Sequence, residues 1–425
     1  LNTVGYSFSS DCTGVTFGKD QSTDTFSLTT PATAISIAGP IRVYAGSITT
    51  GASLTNSANS ADILLKAYGT VTVSSALTAS GSGSNISILA DQATISAAIS
   101  AAGDIVSISP TSASKNIDLG AADSSTLLGL TDTELDYVTS GTLRIGDAVN
   151  TQNINVSANV SIASAKVTNL ALRGTGNVTT TNSANISAAN LGISVGGTIS
   201  LPGNNSVTGN LAISAAGATV SFGQNSGTYT PASVDGIAAD FGVPSAITMS
   251  QVPTSTPQDA FMAVAFNPPP VATVKDKFGN ALATANVNRS AYALVASIAT
   301  RTTTSGTMTL AGTTKITASS GVATFSDLKV SGGTGTVTLA FTPVLATDTG
   351  NTSLFTAATT GTYNIQAGDP DHLIVKRSAA GGKAGIAFTT QPQVEIQTVT
   401  NTVVTNNGTT LNVTASLSSG TGTLV

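Results

Sequence analysis

The chain has 425 residues, a formal net charge of −5 and charged side chains at only 9% of its positions. This length predicts two or three folding units, and an apolar content of 40% is too high for a disordered protein. The sequence has no basic run that would indicate nucleic-acid binding. It also lacks the run of about 18 apolar residues that would predict a membrane span.

Residues 1–247 consist largely of Ser, Thr, Ala, Asn and Gly, and short apolar pairs recur among them. The pairs are Ile86 and Ile88, Ile105 and Ile108, Ile154 and Val156, Leu170 and Leu172, Leu191 and Ile193, and Leu211 and Ile213. A repeat of about 20 residues with two or three apolar side chains cannot form a core alone, so it must stack on copies of itself. We therefore predict an all-β fold that begins with a parallel β-helix, or solenoid, of about a dozen turns spaced about 4.8 Å apart.

One charged stretch interrupts this pattern, "LGLTDTELDYVTSGTLRIGD" at residues 128–147. Thr131 followed by Glu134 has the spacing of a helix capping box, and Asp132 falls in the first turn, where the helix dipole favours a negative charge. The pattern predicts a short helical insert near residues 131–139, ended by Gly141, that protrudes from or plugs the side of the solenoid.

Asp132 and Asp136 are the best candidate pair for acid–base catalysis, because residues four apart share a helical face. Capping and solvation explain both carboxylates without catalysis. We therefore interpret the insert residues Thr131, Asp132, Glu134 and Asp136 as a structural device.

The charged stretch, flanked by "NIDLGAAD" and "NINVSANVSIAS", resembles a motif that recurs in large secreted exoproteins of the filamentous-haemagglutinin type. The resemblance implies a right-handed parallel β-helix at a bacterial surface with an adhesive or scaffold role. It covers about 20 residues and transfers no binding residue to a numbered position.

Residues 252–366 change to longer alternating strands at hairpin spacing, which is typical of a β-sandwich. The predicted strands are "VATVKD", "AYALVASI", "GTMTLAG", "GVATFSDLKVSG", "TGTVTLAFT" and "GTYNIQ", with a polar turn at "DKFGN". "VKDKFGN" and "GVATFSDLKVSG" resemble segments of the bacterial immunoglobulin-like modules of invasins and giant adhesins. That resemblance implies an immunoglobulin-like β-sandwich.

Residues 368–425 read as a partial second module, because "SGTGTL" at 419–424 aligns with "SGTMTL" at 305–310. Either the chain continues beyond Val425, or a neighbouring subunit completes the sandwich by adding strands. Asp369 and Asp371 are candidate calcium ligands at the start of this module, although the spacing matches no standard calcium loop. The single histidine, His372, also lies here and reads as a linker residue.

These patterns favour a non-enzymatic extracellular structural protein of a bacterial cell surface, which self-associates into a filament, sheath or surface layer. The alternative is an adhesin that binds host or cell-surface ligands. A β-helical polysaccharide-active enzyme is the third interpretation, and the scattered acidic residues disfavour it. Apart from calcium, the sequence indicates no cofactor.

Overall fold

A computed structural model describes residues 12–20, 27–30, 33–217, 219–225, 227–254, 258–259, 265–282, 291–366, 370–398, 401, 403–404 and 412–424. The chain divides into two compact units. The first unit consists of residues 1–245 and 275–289, and the second of residues 246–274 and 290–425. The fold is all-β with 1% helix.

The first unit is a parallel β-solenoid. Its elements are β1 (Val15–Phe17), β2 (Ser27–Thr29), β3 (Ile35–Ile37), β4 (Ile41–Ala45), β5 (Ser47–Thr49), β6 (Leu54–Asn56), β7 (Ile63–Ala67), β8 (Thr70–Val73), β9 (Leu77–Ala79), β10 (Ile86–Leu89), β11 (Gln92–Ile95), β12 (Ile99–Ser109), β13 (Lys115–Leu119), β14 (Leu127–Leu130), α1 (Asp132–Leu135), β15 (Val138–Ile145), β16 (Thr151–Val156), β17 (Val160–Ser161), β18 (Val167–Gly174), β19 (Val178–Thr180), β20 (Ile186–Ala188), β21 (Asn190–Val195), β22 (Ile199–Val207), β23 (Asn210–Ala215), β24 (Val220–Gln224) and β25 (Thr230–Pro231).

Successive coils add strands to the same sheets. The main sheet runs in the order β1, β4, β7, β10, β12, β15, β18, β21, β23, β25. A second sheet contains β2, β5, β8 and β11, and a third begins β14, β13, β16, β19, β22. The solenoid has about nine turns, so the predicted dozen is too many. One reason is that Val106 pairs with Leu143, so a single coil contains the whole charged insert.

Two columns of apolar side chains fill the interior behind the main sheet. The first column is Ile41, Ile63, Ile86, Val106, Leu143, Leu170, Leu191 and Leu211, and the second is Val43, Leu65, Ile88, Ile108, Ile145, Leu172, Ile193 and Ile213. All of these residues are buried. Four of the six predicted pairs therefore point inward behind the main sheet, and a fifth, Ile154 and Val156, is buried behind the third sheet. The pairing of Ile105 with Ile108 is wrong, because strand alternation turns Val106 inward and leaves Ile105 half-buried.

The predicted helix is present at α1, with the predicted capping box between Thr131 and Glu134. Leu135 and Val138 are both buried in the solenoid core, so the insert plugs the solenoid and does not merely protrude. The helix ends at Leu135 with Asp136 as its C-cap, whereas Gly141 lies within β15. Among the described residues no helix approaches the length or the apolar character that a membrane span requires.

The second unit contains antiparallel sheets. Its strands are β26 (Pro244–Gln251), β27 (Gln258–Asp259), β28 (Val271–Asp276), β29 (Tyr292–Ala311), β30 (Lys315–Thr317), β31 (Val322–Thr324), β32 (Lys329–Leu345), β33 (Ala358–Thr359), β34 (Tyr363–Gln366), β35 (His372–Arg377) and β36 (Gln393–Gln397). Strands β28 and β31 pair antiparallel, as do β29 and β32. The segments "AYALVASI" and "GTMTLAG" belong to one strand, β29, whose pairing is shifted at three irregularities. The immunoglobulin-like arrangement stays a prediction.

The region predicted as a partial second module contains an antiparallel pair, β35 and β36. Leu373, Ile374 and Val375 on β35 are exposed. Whether further strands complete this region stays a prediction, and Val425 lies outside the described residues.

Candidate functional site

The charged insert stabilises a point where the stack of strands is interrupted. We call this point, where β11 (Gln92–Ile95) meets β14 (Leu127–Leu130), the seam. At the seam, β14 at the edge of the third sheet contacts β11 at the edge of the second. Glu134 Oε1 accepts a hydrogen bond from the Ile95 N–H of β11 at 3.1 Å. Glu134 Oε2 accepts from the Thr131 N–H at 2.9 Å and from Thr131 Oγ1 at 2.7 Å. The carboxylate therefore satisfies a backbone donor on β11 as well as the helix cap.

A second carboxylate at the seam, Asp123, also accepts hydrogen bonds from backbone N–H groups. It accepts hydrogen bonds from the N–H groups of Gly129, at 2.9 Å, and of Ala93 on β11. Burial raises its pKa to about 6, and the nearby negative charge of Glu134 contributes to the rise, although the backbone hydrogen bonds oppose it. A perturbed carboxyl group is a common feature of functional sites. Asp123 ends the segment "NIDLGAAD", but sequence reasoning assigned it no role, because a single Asp in a Ser- and Ala-rich loop indicates no site.

The structure gives Asp132 and Asp136 different partners. Asp132 Oδ1 accepts a hydrogen bond from the Ser161 N–H at 2.7 Å, in a later coil. Asp136 is exposed and lies 4.0 Å from Lys166 Nζ. The one carboxylate stabilises the stack and the other forms a surface ion pair, which contributes little to stability.

Other acidic and amide side chains of the solenoid also accept hydrogen bonds from the backbone of a different coil. Asp62 accepts from the Asn85 N–H at 2.8 Å, and Asn85 Oδ1 accepts from the Ile105 N–H at 3.2 Å. Asp91 likewise accepts from the Thr111 N–H at 3.1 Å. An asparagine ladder links later coils through Asn116, Asn153, Asn177 and the Thr198 N–H. Isolated polar residues in the sequence thus stabilise the contacts between coils.

A distant acidic residue joins two arginines on the outer face of the main sheet. Asp235 accepts from Arg144 Nε and Nη2, each at 2.6 Å, and from Arg173 Nη2 at 2.9 Å. The Asp235 side chain is 7% exposed. Its burial alone would raise the pKa, but the hydrogen bonds and charges of both arginines outweigh burial and hold the pKa below its ordinary value.

Asp235 is held there by a tight turn, Val234 to Ile237, which we call the strap. Asp235 and Gly236 both have positive φ, at 51° and 73°, as in the Asp-Gly turns that reverse a chain. Val234 and Ile237 pack on the small side chains of Ala171 and Ala212. The sequence signal for this turn is the dipeptide Asp-Gly between two apolar residues, Val234 and Ile237.

The structure describes one of the two predicted calcium ligands, Asp371, but not the other. Asp369 lies outside the described residues, whereas Asp371 is exposed and its Oδ2 lies 2.9 Å from His372 Nδ1. His372 is the first residue of β35 and pairs with Gln397, so it lies in a strand and not in a linker. Within the described ranges no three His, Cys, Asp or Glu side chains form a group that could hold a metal ion. Calcium binding stays a prediction.

No protein-family model, curated protein or solved structure matches the chain. The parallel solenoid is therefore established by its strand pairing. The resemblances to exoproteins and to immunoglobulin-like modules stay predictions.

Proposed function

We propose that the chain is an extracellular structural protein of a bacterial cell surface. In this proposal the solenoid is a right-handed scaffold that associates with further copies into a filament, sheath or surface layer, and the second unit forms immunoglobulin-like spacers.

The use of polar side chains in the solenoid is the observation that carries the proposal. Asp62, Asp91, Asp123, Asp132 and Glu134 all accept hydrogen bonds from the backbone of other parts of the stack. A catalytic acid or base needs a carboxylate that is free to exchange a proton with a substrate. These carboxylates are engaged in maintaining the stack, which is the property expected of a scaffold.

The composition also favours close packing of copies. With 37 charged side chains in total, made up of 16 Lys and Arg and 21 Asp and Glu, electrostatic repulsion between copies would be weak. The resemblance to secreted exoproteins supports a bacterial surface location.

Electron microscopy of the purified chain over a range of concentrations tests the proposal. We expect regular polymers or ordered arrays. Separate particles at every concentration, together with polysaccharide cleavage that is lost in Asp123→Asn or in Asp132→Ala with Asp136→Ala, would instead establish the enzyme.

An adhesin is the second candidate, and a cavity beside Arg144 and Arg173 favours it. Separate particles that bind cells would support this function over assembly.

A further inference from the structure

A cavity lies on the outer face of the main sheet, beside the ion pairs of Asp235. Its volume is about 400 Å³, and it is lined by Ser107, Ser109, Arg144, Gly146, Asp147, Ala148 and Arg173. Ser107 and Ser109 alternate with the inward-facing Val106 and Ile108, so both hydroxyl groups face outward. The cavity is therefore formed by side chains of three successive coils.

The cavity wall has more hydrogen-bond donors than its protein partners use. Asp235 engages Nε and Nη2 of Arg144 but only Nη2 of Arg173. Arg173 Nε is buried and has no hydrogen-bond partner among the described residues. Ser109 is 7% exposed and lines the same cavity. A buried donor without a partner costs free energy, which a ligand with an acceptor oxygen within its reach would recover.

The charges around the cavity limit the charge of that ligand. Two guanidinium groups face two carboxylates, those of Asp235 and Asp147, so the formal charges cancel. This balance disfavours a multiply charged anion, whereas the guanidinium groups can still bind a single carboxylate.

Asp147 supplies the complementary acceptor. Its Oδ1 accepts hydrogen bonds from the Val149 and Asn150 N–H groups at 2.7 and 2.6 Å, which fixes the side chain in its loop. Its Oδ2 has no partner among the residues that the structure describes, so it can accept a hydrogen bond from a ligand hydroxyl. A ligand that has one carboxylate and several hydroxyl groups matches both the guanidinium groups and the Asp147 carboxylate of the cavity wall.

We propose that this cavity binds a hexuronate unit of an acidic saccharide. The ligand carboxylate pairs with the guanidinium groups of Arg144 and Arg173, and the ligand hydroxyls bond to Asp147, Ser107 and Ser109. This site is separate from the assembly proposed above, because it is built within a single copy and needs no polymer.

Isothermal titration calorimetry of the whole chain with sodium glucuronate tests the site. We expect saturable binding, at least about tenfold tighter than the binding of glucose, which corresponds to about 1.4 kcal/mol. Inorganic sulfate should not compete at equal concentration.

Two variants and one control localise the binding. Ser107→Leu places an apolar side chain in the cavity while leaving the Asp235 ion pairs intact, and Arg173→Gln removes a guanidinium group. We expect each to weaken glucuronate binding at least about tenfold. Arg42→Gln, on the same face of the main sheet but outside the cavity, should bind like the original chain.

Circular dichroism should show the same β-sheet spectrum for Ser107→Leu and for the original chain. Three results would each overturn the proposal: no saturable binding of glucuronate, equal binding of glucose or sulfate, or unchanged binding by a folded Ser107→Leu variant.

Discussion

Acidic residues in the solenoid act mainly as acceptors for backbone N–H groups, and Asp123 shows the cost of this role. Its carboxylate bonds to Gly129 and Ala93 in a half-buried position, where burial raises its pKa to about 6. The negative form is therefore less stable in the folded chain than in the unfolded chain, in which the pKa has its ordinary value near 3.8.

This shift predicts a pH dependence of stability. A raised carboxyl pKa contributes stability that is fully present below about pH 4 and is lost as the pH rises through about 6. Urea unfolding midpoints should therefore show a gain in stability between about pH 7 and pH 4.5 that is smaller in Asp123→Asn. Asp104→Asn, at another carboxylate that accepts hydrogen bonds from backbone N–H groups, is the matched control. An identical pH dependence in Asp123→Asn and the original chain would exclude this role.

The seam and the strap are two irregular elements of the solenoid. The sequence predicted part of the seam but not the strap. The helix at the seam was predicted, because the capping box between Thr131 and Glu134 is a local signal. The bond from Glu134 to Ile95 was not, since it joins residues 39 apart. The pairing of Asp235 with Arg144 spans 91 residues and depends on the complete stack.

Removal of the Glu134 carboxylate should destabilise the seam. Glu134→Ala leaves the N–H groups of Ile95 and Thr131 without their acceptor, at an expected cost of about 1–3 kcal/mol in the free energy of unfolding. Glu134→Gln keeps one acceptor oxygen and should lose less. The exposed Asp136→Ala should change stability by less than about 0.5 kcal/mol. Chemical denaturation measures the free energy of unfolding of all three variants. Equal losses of stability for Glu134→Ala and Asp136→Ala would contradict the stabilising role of Glu134 at the seam.

Substitution of Gly192, which lies beneath the strap, should displace the strap. A Cβ atom on Gly192 would lie 3.0 Å from Ile237 Cδ1 and 3.2 Å from the Val234 carbonyl oxygen, so Gly192→Val should force the strap outward. We expect faster proteolysis near Gly236, measured by limited digestion and mass spectrometry. Gly361→Ala, where an added Cβ meets no atom within 4 Å, is the control. Unchanged cleavage in Gly192→Val would show that the strap does not rest on this position.

Over the whole solenoid, the repeated apolar pairs predicted the stacking of coils, because each coil buries its apolar side chains against the next. The number of coils was overestimated. The charged insert and the strap add no coils of their own, and their local sequence does not show this. For the second unit, alternation predicted segments that contain strands but not the strand boundaries. Two predicted strands merge into β29, and the predicted strand "GVATFSDLKVSG" is divided between β31 and β32.

Disulfide trapping across neighbouring coils tests the stacked fold most directly. Thr49 on β5 is paired with Thr72 on β8 in the second sheet, and both are half-buried. Cys12 is the single cysteine of the sequence, so Cys12→Ser gives a background without native thiols. In this background, Thr49→Cys with Thr72→Cys should form a disulfide readily, because in-register strands place the Cα atoms about 5 Å apart. Thr49→Cys with Thr70→Cys should not, because this diagonal pair is about 8 Å apart. Equal trapping of both pairs, or of neither, would contradict the stack of coils on which the proposed scaffold depends.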